Sequence, residues 1–459
     1  MKSIRLALSV LALLFSACAG ATPTPVAAPA TPTVASPAAA TPTPAPATPT
    51  AAAKPIRIGL SVPLTGDLAI AGTKHRDGYQ LCVDLINQKG GLLGRPVELL
   101  VEDNRSDNEV TVSQYERFIN VEKVDLLLGT FASRLNFAAS AVAEKAGYVY
   151  PIPSGGALRI WERGFKYIFY FQQNAVEYIG NAPLRALAAY RDKGIIPAGE
   201  FPKTAAVVHA DEFYGNAIAT GLLGGKVAIP GTDKVIDLAP GFLAEAGIQV
   251  VFTQKWPEGF TDWLTLANAV KASNPDLVLA ASGSPDDIIQ FVRALKTVGF
   301  KPKVLYTAQG TQAEFKEALG ADTVNGIIIH ASWHPLVPYV GLLAGQPFSN
   351  QDFIQAFQAK YGRIPDEDEA IPFAVCQGLE QAVRAVGSTD NKAIRDWLAT
   401  RTKDNPVKTI MGDFYWDERG LPIGRDYIIT QWQNGELKFI YPLGEFPGVV
   451  DLQWPTLQW

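Results

Sequence analysis

The sequence predicts an α/β fold arranged as two lobes, and three observations carry that prediction. From Ile56 onward, short runs of Val, Ile and Leu alternate with longer stretches of helical period, the pattern of buried parallel strands covered by helices on both faces. About 400 residues follow a low-complexity start, more than one hydrophobic core usually serves. Two segments then echo each other, Val124-Asp125-Leu126-Leu127-Leu128-Gly129-Thr130-Phe131-Ala132-Ser133 and Pro275-Asp276-Leu277-Val278-Leu279-Ala280-Ala281-Ser282-Gly283-Ser284. Each is a strand running into small polar residues before a helix. Ligands of doubly wound sheets bind at such strand ends, where helix N-termini present free N–H groups, so two half-sites facing one cleft are expected.

The chain opens with Lys2 and Arg5 ahead of an apolar run, Leu6 to Phe15, too short to span a bilayer. Residues 1–17 read as a signal peptide. Phe15-Ser16-Ala17-Cys18 resembles the lipobox of bacterial lipoproteins, with Phe where that pattern usually has Leu, so acylation of Cys18 and membrane attachment through that lipid are expected. Residues 18–54 then form an Ala/Thr/Pro-rich tether, with nine prolines from Pro23 to Pro49. It cannot bury a core, and proline favours extended polyproline II, giving a semi-stiff leash of at most about 100 Å at roughly 3.1 Å per residue.

The formal net charge is −5 and the chain carries no run of Lys or Arg, which argues against nucleic acid and anionic membrane surfaces as partners. Past the leader only Cys82 and Cys376 remain, each in an apolar helical pattern. Two cysteines neither chelate a metal nor build a disulfide framework; buried thiols are expected, with a single bridge left open in an oxidising compartment.

The strands expected in order are Ile56–Val62, Val97–Glu102, Val124–Gly129, Tyr148–Ile152, Thr204–His209, Ile248–Thr253, Leu277–Ala281, Val304–Thr307 and Gly326–Ala331. Between them lie helices such as Asp77–Gln88, closed by Gly90-Gly91, and Asp286–Val298, closed by Gly299. The aromatic, proline-interrupted tail from Leu437 to Trp459 is expected to pack along the second lobe.

Taken together, Val62-Pro63-Leu64-Thr65-Gly66, Asn87 with Gly90-Gly91 and Gly94-Arg95-Pro96-Val97, Glu102-Asp103-Asn104, Asp211-Glu212-Phe213-Tyr214-Gly215, Pro275-Asp276 and Gly412-Asp413-Phe414-Tyr415-Trp416-Asp417-Glu418-Arg419-Gly420 form a specific series. Their order and spacing resemble the leucine/isoleucine/valine-binding family of type I periplasmic solute-binding proteins of ABC importers, from Ile56 to about Gly435. The resemblance implies two Rossmann-like lobes joined by a three-crossing hinge, placed near Phe171–Asn174, Pro302–Val304 and Trp416–Leu421. It divides the chain into residues 55–172 and 304–417 of the first lobe, and 173–303 and 418–459 of the second.

The resemblance also implies a ligand site. Ser133 and the run Ser154, Gly155 and Gly156 fall where amino-acid binders hold the ligand carboxylate, and donors near a helix N-terminus suit that task. Asp286 falls at the acid that takes the ammonium, and Tyr214 at a tyrosine lining the cleft, with Phe131 and Trp333 as further apolar wall. Three positions depart from the branched-chain pattern: Gly156 replaces a threonine, Ala71 an aromatic and Asp286 a glutamate. The extra room admits aromatic acids, amides and urea-like solutes beside amino acids. The partners implied are a small-molecule ligand and ABC permease subunits, with the protein monomeric, exported and facing the periplasm or cell exterior.

No GxSxG, HExxH, P-loop or GxGxxG motif occurs, and the four histidines are His75, His209, His330 and His334. His330 and His334 are expected at a strand end and in the following loop rather than on a metal. No catalytic residue, cofactor or metal is therefore expected. The rival readings are a hydrolase without a recognisable motif and a lipoprotein that presents its ligand to a separate sensor.

Overall fold

In the computed structural model, residues 54–444, 446–457 and 459 are described, with Pro25 and Ala27 from the preceding stretch. The stretch expected to be a signal peptide, Cys18 and the rest of the expected tether lie outside the described residues. The first lobe is built on Ile56–Val62, flanked in parallel by Val97–Asp103 and Leu126–Leu127. Gly129 N–H donates to Pro151 O (3.0 Å), which brings the parallel pair Tyr150–Ile152 and Ile168–Tyr170 alongside. The strand expected at Val124–Gly129 is regular only at Leu126–Leu127.

The second lobe holds a seven-stranded sheet in the order Glu436–Tyr441, Ile428–Gln433, Ile328–Ala331, Val304–Thr307, Leu277–Ala281, Thr204–Ala210, Gln249–Trp256. Ile428–Gln433 pairs antiparallel with Ile328–Ala331 and Glu436–Tyr441 pairs antiparallel with it in turn; the other five run parallel to one another. Alternate residues of one strand serve two cores. Leu277, Leu279 and Ala281 pack with Tyr306 and Ile429, whereas Val278 and Ala280 pack with Leu305 and Phe291. Burial on both faces is why these strands read as unbroken apolar runs.

This sheet corrects the placement of the second crossing. Val304–Thr307 and Ile328–Ala331 extend the sheet of the second lobe, with Leu277 in register with Val304, instead of opening a return to the first. The helix Pro285–Thr297 is an ordinary crossover between parallel strands, which adds the next strand to the same sheet. The chain crosses after Ala331, through Ser332–Val337. The third crossing also lies slightly later than expected. Gly420 O accepts from Tyr170 N–H (2.9 Å) and Trp416 Nε1–H donates to Tyr170 O (2.6 Å), so this turn stays with the first lobe. The chain passes over at Gly424–Tyr427, where Tyr427 donates to Asn174 O of the first crossing (3.0 Å).

Two 20-residue helices, Ala69–Gln88 and Glu367–Val386, pack together in the first lobe. Cys82 and Cys376, expected as thiols with a bridge left open, are joined as a disulfide across this pair. Gly78 allows the close approach: a Cβ there would stand 2.2 Å from Glu369 O. The tail packs on the second lobe, with Leu452 and Leu457 buried and Thr456 Oγ1–H donating to Lys303 O (2.6 Å).

Candidate functional site

Loops at the strand ends of both lobes meet across a closed cleft. On the first lobe, Phe131 and Ala132 lead into the helix Ser133–Ala146. Gly155 lies against the N-terminus of this helix with φ +92°, where a Cβ would stand 2.2 Å from Ser133 N, so only glycine fits. Ser154 Oγ is 2.8 Å from His75 Nε2 and accepts from Gln172 Nε2 (3.3 Å). His75 Nδ1 is 2.9 Å from Ala71 O, an acceptor, which assigns the proton to Nδ1 and makes Ser154 a donor to Nε2. Burial pushes the His75 pKa down to about 4, so the ring is neutral near pH 7.

On the second lobe, Glu212 caps the helix Phe213–Leu223 by accepting from the N–H groups of Tyr214 and Gly215. The Tyr214 hydroxyl is then 3.4 Å from both Ala308 O and His330 Nε2. His330 Nδ1 is 2.7 Å from the Tyr306 hydroxyl, and burial pushes the pKa of this ring down to about 3.

The N-terminus of the helix Glu367–Val386 crosses between the lobes. Glu367 accepts from Thr311 Oγ1–H and from Ser332 N–H, both at 2.7 Å. Burial, and next the Asp368 carboxyl, push its pKa up to about 8. Gln312 Nε2–H donates to Asp368 Oδ2 (2.9 Å), and Lys74 Nζ bridges Asp366 (2.5 Å) and Glu314 of the second lobe (2.7 Å). Burial works against the Lys74 charge, but Asp366, Glu369 and Asp368 outweigh it and hold the ammonium above its ordinary range.

These groups enclose an inner cavity of about 40 Å³ lined by Phe131, Ser154, Gly155, Gln172, Tyr214, His330 and Glu367 among others. A second cavity of about 110 Å³ adjoins it through Ala132 and Gly283 and is lined by Arg134, Glu212, Ser284 and Asp287. Arg134 donates to Asp67 and Ser106 O, while Asp287 accepts from Trp256 Nε1–H and Ser282 Oγ–H. Hydrogen-bonding groups of both lobes and of the first hinge crossing therefore converge on two small, adjoining, partly open cavities. Among the described residues, no group of three or more His, Cys, Asp or Glu side chains is arranged to hold a metal ion, and no helix is long and apolar enough to cross a membrane.

A family model described as periplasmic binding protein matches residues 55–436. The chain belongs to the periplasmic binding protein family. Its relatives include the Leu/Ile/Val-binding protein homolog 7 of Brucella suis, 27% identical over 394 residues that cover 84% of this chain and 91% of the relative. The branched-chain amino acid transporter substrate-binding protein LivJ of Streptococcus pneumoniae, solved in complex with isoleucine, superposes with a TM-score of 0.68 at 19% identity over 85% of this chain and all of that one. A solute-binding protein of an ABC transporter from R. palustris, solved with benzoate, gives a TM-score of 0.65 at 21% identity over 84% of this chain and 95% of that one. The sequence resemblance to Leu/Ile/Val-binding proteins and the type I fold are thus shown.

Within this periplasmic binding protein, Phe131, Ser154, Gly155 and Tyr214 come together at the inner cavity. Ser133 is fully buried behind it, its Oγ without a partner, and Gly156 packs against the Tyr170 ring. Trp333 belongs to the core of the first lobe, donating from Nε1 to Asn350 (2.8 Å), because the second crossing turns it inward. Asp286 is exposed in the first turn of its helix, whereas Asp287, one residue on, lines the outer cavity. The sequence reading missed Glu367, His75, His330 and Gln172. Only Glu367 left a signal, the run Asp366-Glu367-Asp368-Glu369, which holds more acids than capping one helix requires.

Proposed function

We propose that this protein is the extracytoplasmic solute-binding component of an ABC importer, lipid-anchored at Cys18, that closes two lobes over an amino acid or a related small polar solute. The observation that carries this reading is the inner cleft cavity, whose donors and acceptors come from both lobes and the hinge. A ligand carboxylate would meet Ser154 and the N–H groups near the N-terminus of the helix Ser133–Ala146. An N–H-rich end, or a cationic end whose arrival displaces the Glu367 proton, would meet Glu367 and Tyr214, with Glu367 in the part the resemblance assigned to Asp286. His330 in the cavity wall and His75 behind Ser154 are both neutral near pH 7, so neither repels a cation. Ligand binding would shift the hinge equilibrium toward the closed form, which a permease would then recognise.

The test is a thermal-shift screen of the full chain against leucine, isoleucine, valine, benzoate, small amides and urea. One chemical class should raise the melting temperature, since a ligand at 100 times its Kd adds about 2.7 kcal/mol of stability. Flat melts across the panel would remove the amino-acid and related-solute reading.

A further inference from the structure

A cavity of about 350 Å³ lies among the three hinge crossings, separate from the described site except that Ser332 borders both. Gln173 bounds it from the first crossing, Ser332 from the second, and Arg425 to Ile428 from the third. Its apolar wall is Val337, Tyr339, Tyr441, Pro442 and Phe446. The charged groups beside it are committed elsewhere. Arg425 donates to Gln172 O, Asp413 O and Met411 O and lies 4.0 Å over the Phe414 ring, while Asp426 accepts from Arg185 (2.5 Å).

One polar group in the wall is unsatisfied. Gln173 is only 2% exposed, and its Nε2–H donates to Ser332 O (2.9 Å), yet its Oε1 has no partner. Turning the amide over would set two oxygens face to face, so Ser332 fixes Oε1 as a lone acceptor. Buried acceptors are rarely left this way, and an orphan beside a cavity points to a donor that arrives from outside the chain.

We propose that this hinge cavity is a second ligand site, for a small uncharged aromatic ring carrying one O–H or N–H donor. The donor meets Gln173 Oε1 and the ring packs among Tyr339, Tyr427 and Phe446. Size permits it, since an apolar cavity of about 150 Å³ already takes up benzene. The Arg425 N–H groups already serve three carbonyls and Asp426 is paired with Arg185, so the donor of an uncharged ring is left to Gln173 Oε1. The occupant touches all three segments whose torsions change on hinge rotation, so it favours the closed arrangement and couples to the cleft through the same equilibrium.

Phenol is the probe and toluene its control without a donor, each titrated into the full chain by saturation-transfer NMR and thermal melts. Phenol should bind and raise the melting temperature, with toluene at least 5-fold weaker. Gln173→Met should erase that preference, Val337→Phe should fill the cavity and abolish phenol binding, and Tyr214→Ala in the cleft should leave it unchanged. Absence of phenol binding to the wild-type chain, or binding lost in Tyr214→Ala and kept in Val337→Phe, overturns the proposal. If Gln173→Met fails to fold, the phenol–toluene preference of the wild-type chain and the Val337→Phe result still decide. No cleft solute enters the experiment, so its outcome is independent of the importer reading.

Discussion

Glu367 is a carboxyl whose surroundings set its charge. Its pKa, pushed up to about 8 by burial and by Asp368, lies above that of a carboxylate in the unfolded chain. Between those two values the folded protein keeps a proton that the unfolded chain releases, so this group makes stability fall as pH rises through the window. His75 and His330, pushed down to about 4 and about 3, act in the opposite direction. Unfolding exposes rings that then take up protons, so they make stability rise with pH up to about 6.5, the ordinary histidine value. Above that the acid limb remains, in which Glu177 and Asp368, both pushed up to about 7 chiefly by burial, act in the same direction as Glu367. Melts should therefore show stability falling from pH 6.5 to 8, with Glu367 contributing on the order of 2 kcal/mol. Glu367→Gln should make this limb shallower; an unchanged slope would contradict the assignment. At this scale the sequence was a partial guide. Ser154, Gly155 and Tyr214 were found through the family resemblance, but Gln172 reaches the cavity, and His75 reaches Ser154, through tertiary packing that no local pattern records. Asp286 and Asp287 are adjacent and chemically alike, and helix rotation alone decides which one faces the cavity.

The helices Ala69–Gln88 and Glu367–Val386 bear much of the first lobe and position His75 and Glu367 together. A Cβ at Gly78 would stand 2.2 Å from Glu369 O, so Gly78→Ala should cost about 1–3 kcal/mol in urea unfolding. The Cys82–Cys376 bridge joins positions 294 residues apart. Replacing both cysteines by serine should cost about 2–5 kcal/mol, with reductant lowering the stability of the wild-type chain to match. The parallel strands were legible as elements because both faces are buried. The start of the first helix was not, since Leu68 offers no capping side chain to mark it and the helix begins eight residues before Asp77, at Ala69.

Three adjacent crossings join the lobes, and polar contacts hold the cleft shut. Among these, Lys74–Glu314 connects the first lobe to the second, with Glu314 partly exposed. A pair of this kind is worth at most about 1 kcal/mol. Glu314→Ala should thus weaken ligand affinity by no more than about 5-fold while raising the radius of gyration of the ligand-free protein in small-angle X-ray scattering; a more compact scattering profile would count against a closing role. The two-lobed plan was readable from chain length and repeated strand–helix units. The second crossing was misplaced because nothing local distinguishes a crossover that extends one sheet from one that changes lobes: Phe300–Val304 looks the same in either topology, and only pairing of Val304 with Leu277 decides it.

The central claim is that one small solute is bound between the lobes by groups from both. Calorimetric titration of the solute giving the largest thermal shift tests it most directly, in the wild-type chain and in Ser154→Ala, Tyr214→Ala and Asp286→Ala. One site per chain is predicted, with affinity falling by a factor of about 5 to 150 in Ser154→Ala and Tyr214→Ala, the range for a lost buried hydrogen bond, and staying within about two-fold in Asp286→Ala. Wild-type affinity in both cleft variants would place the ligand elsewhere and contradict the account.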